Sequence, residues 1–259
     1  MNRMQGKRVL ITGASSGIGA ATASRLAAAG ADLALWARRR DRLETLATDL
    51  SAAHDTALLV ACVDVRDREK VAEAAARLLE ADWVPDVLIN NAGLAAGFST
   101  IQEGDLEDWD RMIDTNVKGL LFVTRSFLPA MIERGRGHVV NMGSTAGYQV
   151  YPKGNVYNAS KFAVRALTEG TNLDVAGTPL RVSSINPGFV QTEFATVRFH
   201  GDEPKARAVY DGFEPLTGED VANVIYFVLN APEHVNVADL LLLPTAQRNV
   251  YVVHREDGR

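Results

Sequence analysis

Tyr157 and Lys161, four residues apart, and Ser144 a little upstream are the residues of this 259-residue chain whose types and spacing best fit chemistry. If the segment from Asn155 is helical, the Tyr and Lys side chains stack on one face. A phenol titrates near ~10 when unperturbed, but a fixed ammonium one turn away favours its anion, so the lysine would tune the tyrosine toward neutral pH. Ser144 follows the apolar run at 138–142, a strand by pattern, and its hydroxyl is placed to hold the oxygen of a carbonyl or alcohol beside the phenol. Together the three read as a proton-transfer site. A packed aromatic and a solvated lysine can share this spacing by chance, so the motif needs context.

The elements that must position these residues alternate between strand and helix. Residues 8–12 are a short β-branched run that stops at Gly13, and the turn Gly13-Ala14-Ser15-Ser16-Gly17-Ile18-Gly19 then opens an Ala-rich helix to about Ala29. That arrangement puts backbone N–H groups and the positive end of a helix where a pyrophosphate would lie. The second strand, 32–37, runs straight into Arg38-Arg39-Arg40. Dinucleotide sites of this architecture place an acid there to bond a ribose 2′-hydroxyl, whereas an arginine accommodates a 2′-phosphate. Ala37 supplies no carboxylate. Arg38 and Arg39 supply guanidinium groups that fork onto phosphate oxygens and stack on an adenine plane, unless they merely begin a solvated helix.

Strand patterns at 57–63, 86–90, 138–142, 180–186 and 240–243, interleaved with helices, continue the alternation. The right-handed crossovers this requires give an α/β fold: a single-domain, Rossmann-type doubly wound parallel sheet of about seven strands with helices on both faces. Asp64, ending the third strand, either accepts a bond from an adenine amino group or caps the next helix. Asn90-Asn91-Ala92-Gly93 ends the fourth in a small polar turn beside the expected crevice. A helical segment from 106 to about 133 carries Asn116 among core positions, which with Gly119 predicts a kink or a polar task. After Pro187-Gly188, periodicity fails from Phe189 to about Gly212, a stretch read as a substrate lid. Residues 246–259 read as a tail.

Hydrophobic content of 47% with 23% charged residues suits a sizeable globular core. A formal net charge of -5 argues against nucleic-acid and anionic-membrane partners, which want a basic face, and leaves a small molecule as the expected ligand. No apolar run approaches the ~18 residues of a membrane span, and residues 1–8 are too short and polar for a signal peptide, so a cytoplasmic location is expected. Cys62, the single cysteine, can form no internal disulfide and, flanked by apolar residues, is expected to be a small core residue. The five histidines show no metal-ligand spacing, and no metal is expected. Helical segments 105–134 and 155–177 have more apolar positions than one sheet face requires, which predicts a homo-oligomer.

Taken in order, Thr12-Gly13-x-x-x-Gly17-x-Gly19, Asp64-Val65, Asn90-Asn91-Ala92-Gly93, Asn116, Ser144, Tyr157-x-x-x-Lys161 and Pro187-Gly188 resemble the motifs of the short-chain dehydrogenase/reductase family from end to end. The resemblance implies that Asn116, Ser144, Tyr157 and Lys161 are the catalytic four. It implies that Gly13, Ser15, Ser16, Gly17, Ile18, Gly19, Arg38, Arg39, Asp64, Val65, Asn91, Ala92, Gly93, Tyr157, Lys161, Pro187, Gly188, Val190 and Thr192 bind a cofactor, NADP(H) given the arginines. On this pattern Tyr157 moves the proton, Ser144 holds the substrate oxygen, Lys161 biases Tyr157 toward phenolate and binds the nicotinamide ribose, and Asn116 keeps a water in line behind Lys161. A tetramer or dimer is implied as well. In the second half, Tyr151-Pro152, Thr192-Glu193-Phe194, Val197-Arg198-Phe199 and Pro244-Thr245 are similar to the branch of NADP-dependent 3-hydroxy acid dehydrogenases that includes serine dehydrogenases. A carboxylate substrate needs a cation, and Lys153, Arg198, Lys205 and Arg207 are the candidates, Arg198 foremost. The implied reaction is hydride transfer at the 3-position of a small 3-hydroxy acid; broad reduction of aldehydes, ketones or diketones and a non-catalytic cofactor-binding role are the alternatives.

Overall fold

The computed structural model describes residues 2–256. Its strands are β1 (Arg8–Thr12), β2 (Asp32–Ala37), β3 (Leu58–Cys62), β4 (Val87–Asn90), β5 (His138–Met142), β6 (Arg181–Pro187) and β7 (Asp239–Leu242). They lie in the order β3-β2-β1-β4-β5-β6-β7, and every neighbouring pair is parallel. The helices are α1 (Gly17–Ala27), α2 (Arg40–Ala53), α3 (Arg68–Glu80), α4 (Leu106–Ile113), α5 (Leu120–Arg134), α6 (Asn155–Asp174), α7 (Phe194–Arg198), α8 (Glu203–Ala208) and α9 (Gly218–Leu229). This is the expected Rossmann-type sheet with helices on both sides.

Alternation along each strand divides the core in two. Val9, Ile11, Leu33, Leu35 and Ile89 face the layer built with Leu26 of α1, Leu43 of α2 and Ile225 of α9. Leu10, Trp36, Leu88 and Val139 face the other, with Val71 of α3 and Phe127 of α5; the Trp36 and Phe127 rings meet at 5.6 Å between centroids. Because both faces are covered, the central strands read as unbroken apolar runs, as parallel strands do. The order of connection reverses between β1 and β4, so a crevice opens beyond their carboxyl ends, where Gly13 and Asn91 stand.

Several expectations change. The helix drawn from 106 to 133 is α4 and α5 joined by a π-helical stretch, Asp114–Gly119, which contains Asn116 and is the predicted kink. The lid stretch is less irregular than its sequence suggests: α7 and α8 are too short to show an apolar period, though Asp202 caps α8 by accepting from the Lys205 N–H. Cys62 is exposed, not a core residue, because β3 is the edge strand and its outward positions lack cover; its thiol donates to the Arg38 carbonyl at 3.2 Å. Asp67, not Asp64, caps α3. The tail folds back, the Arg248 N–H donating to the Val252 carbonyl and the Glu256 N–H to Gly212; residues 257–259 of the predicted tail lie outside the described residues.

Candidate active site

The turn after β1 is shaped for close approach. Gly13 has φ +67, and a Cβ there would stand 2.9 Å from the Ala92 Cα; a Cβ on Gly19 would lie 2.4 Å from the Gly13 carbonyl oxygen. Neither position admits a side chain, so β1, α1 and the Asn91 turn pack close together, with the Asn91 amide against both glycines. Asn91 ties the two turns together, its amide donating to the Thr12 carbonyl at 2.9 Å. From here a crevice of about 840 Å³ runs past Ser15, Ser16, Gly17, Ile18, Arg38, Arg39, Asp64, Val65, Ala92 and Gly93 to Pro187, Gly188, Val190 and Thr192. Gly19 lies under the turn and lends it room without lining the crevice.

These residues fit NADP(H). A glycine-rich cradle at a helix start suits a pyrophosphate, and the two arginines beyond β2 suit a further phosphate. Arg39 donates to the hydroxyls of Ser15 at 3.3 Å and Ser16 at 2.6 Å, which fixes its guanidinium at the edge of the cradle. Arg66 grips both carboxylate oxygens of Asp64, the shortest contact 2.6 Å. Burial works against the Asp64 charge, but the Arg66 bonds outweigh it and hold the carboxyl below its ordinary value.

The same crevice is lined by Ser144, Tyr157 and Lys161. All three are buried. Ser144 accepts from the Ala146 N–H at 3.1 Å, which leaves its own proton to donate. Lys161 Nζ donates to the Met142 carbonyl at 2.8 Å and lies 6.0 Å from the centre of the Tyr157 ring. Burial pushes the amine down to about 8. The expected acidification of Tyr157 by this lysine is not present in the polypeptide: burial and the neighbouring Tyr151 push the phenol above its ordinary value, and the Ser144 hydroxyl and Arg198 recover only part of that.

Asn116 anchors the turn that follows β4. Its side-chain oxygen accepts from the Leu94 N–H and its amide donates to the Leu94 carbonyl, both at 2.8 Å, and to Ser160 Oγ at 3.0 Å. Ser160 in turn donates to the Tyr157 carbonyl at 2.8 Å. Both amide protons and one lone pair of the oxygen are spent clamping the turn after β4 to α6. Ser160 escaped the sequence reading, although its place three residues after Tyr157 put it on the same helix face.

Arg198, at the end of α7, reaches the proton site. Its guanidinium carbon lies 4.8 Å from the Phe98 ring centre, 5.4 Å from Tyr151 and 5.6 Å from Tyr157. Nη1 donates to the Tyr151 hydroxyl at 2.9 Å, while Nε is enclosed with no partner. Two bonds fix α7 here: the Gly97 N–H to the Arg198 carbonyl at 3.0 Å, and His200 to the buried Asp108 carboxylate at 2.9 Å. Lys153 is exposed, has φ +65 and lies outside the lining, 6.0 Å from the Phe98 ring. Lys205 and Arg207 are exposed on α8 and also off the lining. Sequence reasoning assigned no role to Phe98, Tyr151 or Tyr251, which wall this end of the crevice; Tyr151 alone had a signal, its place in a motif of the second half.

Lys161 gives a prediction of its own. Its folded pKa, about 8, lies below the ordinary 10.5, so the fold favours the neutral amine: the associated stability is complete above pH 10.5 and is lost as pH falls through 8. Lys161→Met is therefore expected to abolish turnover yet raise stability at pH 7, by up to about 3 kcal/mol, with the gain fading as pH approaches 10.5. Thermal melts at pH 7 and 10 check it; a variant less stable at pH 7 would mean that the bond to Met142 outweighs the cost of burial.

Among the described residues, no helix is long and apolar enough to cross a membrane, and no group of His, Cys, Asp and Glu could hold a metal ion. Residues 7–203 match the family model for short chain dehydrogenase. The chain is 43% identical over 241 residues to the NADP-dependent 3-hydroxy acid dehydrogenase YdfG of Salmonella typhi, covering 92% of this chain and 95% of that protein. It is 44% identical over 250 residues to sulfoacetaldehyde reductase 2 of Chromohalobacter salexigens, covering 96% and 98%. The closed form of serine dehydrogenase complexed with NADP+ has a TM-score of 0.90 and 41% identity to it, covering 96% of this chain and 100% of that one. The family match runs unbroken from β1 through the glycine turn to the Tyr157 helix and the lid, the segments that meet around the crevice, and so the chain belongs to the short-chain dehydrogenase family.

Proposed function

We propose that the enzyme transfers a hydride between NADP(H) and the 3-position of a small 3-hydroxy acid, of the serine or 3-hydroxypropionate type. It is an NADP-dependent oxidoreductase acting on a CH–OH group. The observation that carries the finer reading is Arg198, a cation 5.6 Å from the Tyr157 ring with an enclosed, unpartnered Nε. An enclosed donor without a partner is costly, and an acid group would supply the partner. The shortness of that gap suits a compact substrate whose anion and carbinol are a few bonds apart.

The bound nicotinamide supplies the hydride chemistry. The chain's own residues do the rest. Arg198 holds the acid group; Ser144 donates to the carbinol oxygen; Tyr157 takes the alcohol proton in oxidation and returns it in reduction. Lys161, with its amine near 8, passes the proton onward at physiological pH. The Asn116–Ser160 clamp keeps the helix bearing Tyr157 and Lys161 in register with the Asn91 turn.

A substrate panel tests this. With NADPH or NADP+, kcat/KM for 3-hydroxypropionate and serine, and for their carbonyl forms, is expected to exceed that for a neutral ketone or aldehyde by about 100-fold, the worth of a charge-assisted pair in a desolvated site. Equal rates would favour broad carbonyl reduction instead. A sulfonate belongs in the panel: a guanidinium fork accepts it as readily as a carboxylate, and sulfoacetaldehyde reductase 2 is 44% identical. Activity with NADPH should exceed that with NADH on every substrate.

The reading extends to assembly and compartment. Leu106, Leu121, Phe162 and Leu173 stand exposed on α4, α5 and α6, which supports a homo-oligomer, a tetramer or dimer, through those faces; a solution mass of one subunit would remove it. The cytoplasm suits the exposed, unpaired Cys62.

A further inference from the structure

The crevice carries an acid of its own. Glu193, just before α7, reaches across to the segment after β2: one carboxylate oxygen accepts from Arg39 Nη1 at 2.8 Å and the other from Arg42 Nη1 at 2.5 Å. Arg39 meanwhile holds Ser15 and Ser16 with its remaining nitrogens. Glu193 sits at the N-cap position of α7, yet its side chain bonds no N–H of that helix. An Asp at this position ordinarily does. This carboxylate is committed to the arginines instead, which hold it well below the usual carboxylate range. Two guanidinium groups converging on a single anion, beside the hydroxyls of the glycine turn, make the arrangement a phosphate would use.

Resting on the assignment of Arg39 to the cofactor 2′-phosphate, we propose that Glu193 is an internal competitor for that site, a tethered carboxylate that the phosphate must displace. The exchange swaps one anion for another on the same nitrogens. It lowers the affinity for NADP(H) and leaves NAD(H), which has no such phosphate, untouched. The Arg39–Glu193 pair joins the segment after β2 to the start of the helix that ends in Arg198. Glu193 thereby sets how strongly the protein distinguishes the two cofactors.

The test is a set of dissociation constants, read from the fluorescence of NADPH and NADH titrated with the full chain: wild type, Glu193→Gln, Arg39→Met and the double variant. Glu193→Gln is expected to tighten NADPH roughly three- to tenfold, the scale of two half-exposed ion pairs, and to leave NADH within about twofold. Arg39→Met should weaken NADPH at least about tenfold, and in that background the gain from Glu193→Gln should shrink. If Arg39→Met weakens NADPH but Glu193→Gln leaves it unchanged, weakens it, or tightens NADH equally, the proposal fails while the phosphate assignment stands. If NADPH binding is indifferent to Arg39→Met, the assignment fails and takes the proposal with it.

Discussion

Tyr157→Phe is expected to lower kcat by about a thousandfold, the range general acid–base groups supply, while the dissociation constant for NADPH stays within about twofold. The change removes one oxygen and keeps a ring that packs edge-on against Phe194 at 5.5 Å, so the wall of the crevice is conserved. The phenol is buried and held above its ordinary value by that burial and by Tyr151. Removing a desolvated hydroxyl costs the fold little, and the melting temperature should hardly move. Steady-state rates beside NADPH fluorescence titration separate the two effects. Turnover within tenfold of wild type would dismiss Tyr157 as the proton carrier. Because the phenol is hard to ionise and the Lys161 amine titrates near 8, the oxidation rate of the wild-type enzyme should rise as pH increases through that region.

Arg198→Met should be the most selective lesion. Methionine keeps an unbranched stem against Phe98 and Tyr151 but removes the charge and the Nε donor. For 3-hydroxy acids, kcat/KM is expected to fall by about 100- to 1,000-fold, from the loss of a charge-assisted bond in a desolvated site. Most of the loss should appear in KM if the contact is equal in ground and transition states. A neutral ketone should react within a few-fold of its wild-type rate. Kinetics for the acids unchanged by the substitution would remove Arg198 from the substrate site and leave general carbonyl reduction as the better reading. A parallel loss on acids and ketones would show instead that the guanidinium matters for packing the lid.

The arrangement of strands and the chemistry of the glycine turn could be read from the chain because both are local. Short unbroken apolar runs, a Gly13-to-Gly19 turn and an i, i+4 pair each fit within a single element and its boundary. Arg38 and Arg39 were informative for the same reason: topology dictates what stands at the end of β2. The kink at Asn116 was legible from one ill-suited residue among apolar ones.

What failed to show in the sequence depends on distance along the chain and on burial. The partners of Asn116 lie 22 and 44 residues away, and those of Glu193 more than 150. No spacing rule reaches that far. Cys62 looked like core because its neighbours are apolar, but being inside requires a neighbour beyond the strand, and β3 has none on its outer edge. Of four candidate cations near the lid, only the fold of α7 decided that Arg198 meets the tyrosine and Lys153 does not. The sequence by itself determined that a phenol and an amine share a helix face beside a nucleotide crevice. Tertiary structure decided what that nearness does: the amine is turned to the Met142 carbonyl, and the dielectric around both groups, a property of everything packed against them, favours their neutral forms.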